Sequence, residues 1–156
     1  MPAILARCGR PAAPPALLLT ILLTIAGCAS GSTGTPGRVT VTDAWVRAAA
    51  VAGQTTAAYF TIANGTTTND ALLGVSTPAA GIAQIHETTM SSGMMGMRDV
   101  PRVNIPAGGT VQFAPGGYHV MLMSLTAPLA AGATVELTLV FEHAGTVVVK
   151  AEVRKG

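Results

Sequence analysis

Short alternating runs of apolar and polar residues, separated by turn signals, occupy the chain from residue 38 onward and limit its fold more than any other feature. Such alternation is typical of half-buried β-strands, because successive side chains of a strand point to opposite faces. No stretch of this part carries the capped 3.6-residue period of a helix. We therefore predict an all-β Greek-key sandwich or barrel. The predicted strands, about nine in number, cover residues 38–46, 55–65, 71–76, 83–88, 95–100, 110–113, 119–125, 135–141 and 146–153.

Two local signals refine this expectation. Asn64 and Gly65 form a pair that favours a tight hairpin turn after the second predicted strand. Residues 91–97, SSGMMGM, are rich in glycine and serine, which predicts a loop over most of that segment. The last two strands should form a closing hairpin whose apolar faces are core.

The first 27 residues resemble a secretory signal peptide. Arg7 and Arg10 precede an apolar run of about twelve residues that ends in small residues. This run is shorter than the roughly 20 residues that a permanent membrane-spanning helix needs. The signal therefore predicts export without a transmembrane anchor.

A lipid anchor is predicted instead. The tetrapeptide 25–28, Ile-Ala-Gly-Cys, resembles the bacterial lipobox, whose cysteine becomes the lipid-modified first residue of the mature chain. We predict cleavage before Cys28, with residues 28–37 as the lipidated cysteine and a flexible tether rich in Gly, Ser and Thr. The folded domain would then occupy residues 38–156 on the outer face of the cytoplasmic membrane or in the periplasm.

Export changes both the charge and the cysteine count. Loss of Arg7 and Arg10 leaves seven basic against seven acidic residues, so no excess of positive charge favours nucleic acid. Cys8 would be removed and Cys28 would carry lipid, which leaves the folded domain without thiol or disulfide. A soft-metal site outside the cytoplasm would then have to use methionine and histidine.

The methionines are concentrated in one window of the sequence. All of them except the initiator lie between Met90 and Met123, and two of the three histidines, His86 and His119, bracket or enter this window. Methionine often fills cores, so clustering alone is ambiguous. Thioethers in an exported, glycine-rich segment are open to oxidation, however, which packing alone would not justify.

The donor set favours Cu(I). Soft thioethers select this ion, whereas zinc prefers thiolate, imidazole or carboxylate ligands and calcium or magnesium prefer oxygen. His119 and Met121 lie two positions apart on one predicted strand, roughly 7 Å along it, and both side chains can lean toward one ion. A hairpin after His86 would return Met97 beside it. A blue-copper electron-transfer centre is disfavoured, because it needs a cysteine thiolate.

The spacing of these four residues resembles a known family. Ten residues separate His86 from Met97, twenty-one separate Met97 from His119, and one separates His119 from Met121. This matches the H-x10-M-x21-H-x-M signature of the periplasmic copper chaperones called PCu(A)C. The resemblance extends over about residues 38–153, including DAWVR near the start and LVFEHAG near the end.

The resemblance implies a cupredoxin-like domain that binds one Cu(I) through His86, Met97, His119 and Met121, without enzymatic turnover. It also implies delivery of copper to the CuA centre of cytochrome c oxidase, alongside a Sco-type thiol protein. Two departures from the family pattern occur. Glu87 stands where some members have methionine, and residues 151–156, AEVRKG, do not resemble the His- and Met-rich tail that gives some members a Cu(II) site, so we expect Cu(I) binding without a strong separate Cu(II) site.

Other interpretations remain open at this stage. A copper-buffering envelope lipoprotein would use the same ligands, and a non-metal interaction module would use the methionines as a contact patch. A hydrolase is disfavoured, since no G-x-S-x-G motif occurs. Ligand and filler roles are equally open for the methionines at positions 90, 94 and 95, whereas Met123 is interpreted as packing below the site. His143 is interpreted as structural.

Overall fold

The computed structural model describes residues 37–91 and 93–156, all within one compact unit, Ser32–Gly156. The described residues form ten strands and no helix, and none of them belongs to a helix that could span a bilayer. The all-β prediction is confirmed. The predicted signal segment, Cys28 and the tether up to residue 36 lie outside the described residues. The strands are β1 (Val39–Arg47), β2 (Thr56–Asn64), β3 (Asp70–Ser76), β4 (Ala80–Ser91), β5 (Met94–Asp99), β6 (Val103–Ile105), β7 (Thr110–Phe113), β8 (Tyr118–Leu125), β9 (Thr134–Phe141) and β10 (Thr146–Arg154).

Hydrogen bonds join all ten strands into one sheet that closes around a single core. The order is β5-β4-β8-β7-β2-β1-β10-β9-β3-β6, with an additional pairing of β8 with β2. β3 also contacts β4, although the two strands are far apart in this order. β4 pairs antiparallel with both β5 and β8, so these three strands lie side by side at one end of the sheet.

The core consists of alternate residues from nearly every strand. Phe60 and Phe113 stack with their ring centroids 4.5 Å apart at its centre. The predicted apolar face of β9 is buried as expected, and β9 and β10 form the expected closing hairpin. Burial of a large apolar side chain contributes about 1.5–3 kcal/mol. The largest fully buried side chains include Phe60, Phe113, Ile62, Leu72, Ile105, Leu122, Leu137 and Leu139.

Two features of the fold differ from the sequence prediction. β6 was not predicted, because three residues are too few to show alternation, yet it pairs with β3 at the edge of the sheet. The hairpin predicted at Asn64-Gly65 is wrong, because β2 pairs with β1, β7 and β8 and not with β3. Asn64 instead has a buried side chain that donates to the carbonyls of Thr68 and Ile105, at 2.8 and 3.2 Å. The Asn64 side chain therefore stabilises the loop that crosses from β2 to β3. An Asn-Gly pair suits such a loop as well as a hairpin turn, so the pair alone does not distinguish between them.

The predicted strand over residues 95–100 is confirmed as β5 and begins one residue earlier, at Met94, so most of the loop predicted for residues 91–97 is strand. Met94 lies opposite Ser91 and Met95 opposite Met90, so β5 pairs with the end of β4 almost from the turn onward. Gly93 has a φ of 80°, the left-handed conformation that glycine adopts without steric cost, and marks the reversal. Cross-strand pairing provides hydrogen-bond partners for the backbone N–H and C=O groups of this segment. The glycine and serine content of the segment does not reveal this pairing.

A buried carboxylate stabilises the turn between β9 and β10. Asp70, at the start of β3, is only 4% exposed and accepts backbone N–H groups from Ala71, His143 and Ala144 at 2.7, 2.9 and 2.9 Å. Burial alone would raise the pKa of Asp70, but the three N–H donors and the neighbouring His143 together lower it. The charged form is therefore the one that the fold stabilises.

We predict that Asp70→Asn destabilises the domain at neutral pH by about 1.5–3 kcal/mol, the usual contribution of a hydrogen bond to a charged group. Because the folded-state pKa is lowered, the charge-dependent part of this stability is present above the unfolded-state value of about 3.9 and is lost as the pH falls through the folded-state value. Urea unfolding at a series of pH values checks this. A difference between wild type and variant that stays constant down to acid pH would contradict it.

Candidate metal centre

The four residues of the signature lie on three adjacent strands. β4 contributes His86, β5 contributes Met97, and β8 contributes His119 and Met121. His86 lies directly opposite His119 in the β4–β8 register, while Met121 is opposite Gln84, two positions further along β4. The structure therefore brings His119 and Met121 to the same face as His86.

Met97 completes this cluster from the other side of β4. It lies opposite Thr88, which is two positions from His86 and on the same face. Diagonal neighbours in an antiparallel sheet are about 7–8 Å apart between backbones, within reach of long side chains. The predicted return of Met97 beside His86 is confirmed, with Met97 and Met121 diagonal to His86 on opposite sides of β4.

Burial of the opposite face of these strands holds the histidines in place. Ile85, Val120 and Leu122 are 4%, 0% and 0% exposed and belong to the core. Because side chains alternate, the residues between them must point to the other face. The rings of His86 and His119 face each other there, with centroids 5.9 Å apart and planes inclined at 56°.

A hydrogen bond orients the ring of His119. Its Nδ1 lies 3.1 Å from the carbonyl oxygen of Gly117, and a carbonyl can only accept, so Nδ1 carries the proton and donates. The Nε2 lone pair of the neutral ring is then available to a metal. The same carbonyl accepts the backbone N–H of Thr88 at 3.1 Å and so ties the turn before β8 to β4. Histidine ligands are commonly oriented in this way through their second nitrogen.

His86 presents the opposite situation. Both of its ring nitrogens are buried, and neither has a hydrogen-bond partner within the described part of the chain. A buried polar group without a partner typically costs about 1–3 kcal/mol. Such a cost in a well-packed sheet is explained if the lone pair serves a ligand outside the protein.

The two thioethers differ in exposure. Met97 is 61% exposed on the edge strand β5, whereas Met121 is half-buried beside Ala57, its partner on β2. Met97, His119 and Met121 line one side of an open groove of about 730 Å³ whose other lining residues include Tyr59. Three of the four residues therefore reach the groove, which His86 does not line, and the most exposed of them lies on the outermost strand.

Carboxylates add no third ligand to the two histidines, although Asp99 lies directly opposite His86 in the β4–β5 register. Among the described residues, no group of three or more His, Cys, Asp or Glu side chains is placed to hold a metal ion. Glu87 is held by Arg98, whose Nε lies 2.9 Å from the Glu87 carboxylate, on the face of β4 opposite His86. The thioethers are therefore needed to make a metal site here.

The remaining methionines and His143 lie around this site or apart from it. Met123 is half-buried two positions beyond Met121 on the same strand. The hairpin methionines at 90, 94 and 95 are all strongly exposed, and sequence reasoning did not resolve their pairing. His143 lies in the β9–β10 turn, where its Nδ1 is 3.6 Å from Asp70 and 3.8 Å from Glu142, and it does not line the groove.

The fold is that of a cupredoxin-like β-domain, and it places two imidazoles and two thioethers on one face of three adjacent strands. The chain belongs to the LpqE-like family, whose model ("Putative lipoprotein LpqE-like") matches residues 39–153. A protein of Leifsonia xyli subsp. xyli described as "Putative lipoprotein Lxx21020" is 40% identical over 134 residues, which cover 81% of this chain and 80% of that protein.

The chain is also similar to solved structures of copper-bound proteins. The copper-bound PCuAC domain from PmoF2 is 27% identical, with a TM-score of 0.65 over 79% of this chain and 97% of that domain. The Cu(I) form of DR1885 from Deinococcus radiodurans is 36% identical, with a TM-score of 0.57 over 81% of this chain and 84% of that protein. The resemblance to the PCu(A)C proteins and the cupredoxin-like fold class are thereby confirmed.

We predict that His86→Phe stabilises the metal-free domain by about 1 kcal/mol, because it removes two buried polar atoms that have no partner. His119→Phe is the matched control and should destabilise, since it removes the hydrogen bond to Gly117. Urea unfolding in the presence of a copper chelator measures both. Equal destabilisation by the two variants would show that the His86 ring has a stabilising role in the metal-free fold.

Proposed function

We propose that the domain is an extracytoplasmic Cu(I) chaperone whose ligands are His86, Met97, His119 and Met121. The observation that carries this proposal is the ring of His86, whose two nitrogens are buried without a partner and which faces His119 with a thioether diagonal to it on each side. The similarity to a copper-bound PCuAC domain and to the Cu(I) form of DR1885 supports the choice of ion.

The donor set suits Cu(I) chemically. Thioether sulfur is a soft neutral ligand that favours Cu(I) over harder divalent ions, and imidazole serves it as well. A site without thiolate is not disabled by disulfide formation in an oxidising compartment. The ion can therefore be held in its reduced state outside the cytoplasm.

The arrangement favours release to a partner without enzymatic turnover. His86 and His119 are fixed by the core behind them, and His119 also by its hydrogen bond to Gly117. Met97 is the most exposed of the four and lies on the edge strand. It can dissociate as a sulfur ligand of the recipient attaches, so copper transfer proceeds by ligand exchange and the oxidation state does not change.

We further propose that the recipient is the CuA centre of cytochrome c oxidase and that a Sco-type thiol protein is a second partner in the delivery. The resemblance to the PCu(A)C family supports this recipient. Lipid on Cys28, which the LpqE-like family description supports, would hold the domain at the outer face of the cytoplasmic membrane or in the periplasm, near a membrane-bound oxidase.

Anaerobic titration of the lipid-free chain from Ser32 with Cu(I), against a chromophoric Cu(I) chelator, tests the site. Wild type should hold one tight equivalent, and the variant with both His119→Ala and Met121→Ala should lose it. Met97→Leu should also weaken tight binding, because leucine keeps the apolar bulk without the sulfur donor. Two matched controls, Met94→Leu and His143→Ala, alter exposed residues away from the four ligands and should keep the equivalent.

No competition by the wild type with the chelator would contradict metal binding and favour the non-metal interaction module. Retention of the equivalent by the double variant would place the ion elsewhere.

Delivery is tested separately from binding. The copper-loaded domain is mixed with the soluble copper-free CuA domain of an oxidase, the two are separated by size, and copper in each is measured. We expect the CuA domain to take up copper faster from the loaded domain than from a complex of Cu(I) with a chelator. Copper that stays with a tightly binding chaperone would contradict delivery and favour a copper-buffering lipoprotein.

A further inference from the structure

Three methionines lie next to one another at the β4–β5 hairpin, and one of them, Met97, is also among the four proposed ligands. Met90 lies directly opposite Met95, and Met97 follows two positions along β5 on the same face. Their side chains are 68%, 70% and 61% exposed. These are among the largest exposed apolar groups of the described domain, and exposed thioethers outside the cytoplasm are open to oxidation. A packing role does not explain them.

Their spacing suits a shared ion. Directly paired residues in an antiparallel sheet have Cβ atoms about 4.5–5.5 Å apart, and diagonal pairs about 7–8 Å. The flexible side chain of methionine, with three rotatable bonds, allows sulfurs at these distances to converge. Met90, Met95 and Met97 can therefore provide three thioethers on one exposed face.

Met97 connects this group to the first site. It lies opposite Thr88, midway along β4 between His86 and Met90. The same sulfur is therefore diagonal to the buried imidazole on one side and to the exposed thioether on the other. Met95 also contributes to the groove that Met97, His119 and Met121 line.

We propose that Met90, Met95 and Met97 form a second, weaker Cu(I) site that shares Met97 with the first. This inference rests on the proposed function, since it describes how copper reaches and leaves the two-histidine site. The ion would move as Cu(I) throughout. The sulfurs of Met90 and Met95 bond to it as the imidazole nitrogens and Met121 dissociate, while the Met97 sulfur stays attached.

Three neutral sulfur donors bind Cu(I) more weakly than a set that includes two imidazoles fixed by a rigid sheet, since exposed methionines must lose rotamer freedom to converge. The second site is therefore occupied only at higher free copper. It also places the ion at the outer end of the hairpin, where a partner can reach it without displacing the core-backed histidines.

Two Cu(I) chelators of different strength test this proposal in the lipid-free chain from Ser32. Against the strong chelator, wild type holds one equivalent. Against the weak chelator, it holds two, with the Met97 sulfur bridging the two ions through its two lone pairs. The variant with Met90→Leu and Met95→Leu keeps the first equivalent, which also shows that it is folded, and loses the second. Met94→Leu, on the opposite face of β5, keeps both, and Met97→Leu weakens both.

The copper-transfer rate provides a second measurement. Removal of the tight equivalent by excess chelator should be slower in the Met90, Met95 variant, although the equilibrium affinity of its first site is unchanged. A purely apolar role for these methionines would leave both the stoichiometry and this rate unaltered.

Several results would overturn the second site. These are a single equivalent in wild type against both chelators, a second equivalent that survives loss of Met90 and Met95, or no effect of Met97→Leu on that equivalent. Failure of the proposed function would give a different result. The wild type would then hold no copper against the strong chelator, while the weak equivalent that depends on Met90 and Met95 would remain.

Discussion

The site depends on the burial of one face of two neighbouring strands. Ile85 on β4 and Val120 and Leu122 on β8 are enclosed by the core, and their burial leaves His86 and His119 no choice of face. A slip of one residue in either strand would move an imidazole into the core and an aliphatic side chain to the surface. The hydrophobic effect thus sets the register, and the register sets the distance between the two rings.

The same sheet combines a rigid and a labile part. The histidines lie on interior strands of the sheet with the core behind them, and the carbonyl of Gly117 fixes His119. Met97 lies on β5, whose residues are all exposed and which has only one neighbouring strand. Tight holding and easy release of an ion make opposite demands on ligands, and an edge strand beside two interior strands meets both demands.

The metal-free domain bears a cost for this arrangement. The unpartnered ring of His86 and the exposed sulfurs of the hairpin do not stabilise the fold, so the stability must come from elsewhere. The stacked Phe60–Phe113 pair and the three backbone hydrogen bonds to Asp70 lie outside the cluster and contribute to the stability of the fold. Groups that cost stability at one place in a sound fold are commonly functional.

Local patterns in the sequence determined much of the molecule. Alternation predicted nine of the ten strands, the buried face of β9 and the common face of His119 and Met121, because strand periodicity is a property of neighbouring residues. Three features depend on partners that a local pattern does not contain. The three-residue β6, the crossover at Asn64 and the start of β5 at Met94 each arise from pairing with a distant or opposing segment.

The sequence by itself determined which donors are available: three histidines, two of them in or beside the methionine-rich window, and a set of thioethers without a cysteine in the folded domain. Only the tertiary structure decided that His86 faces His119, that the ring of His86 has no partner, and that Met97 lies between His86 and Met90. These relations come from hydrogen-bond registers between strands and from core burial. Both are non-local, so spacing along the chain can match a site without revealing how its side chains meet.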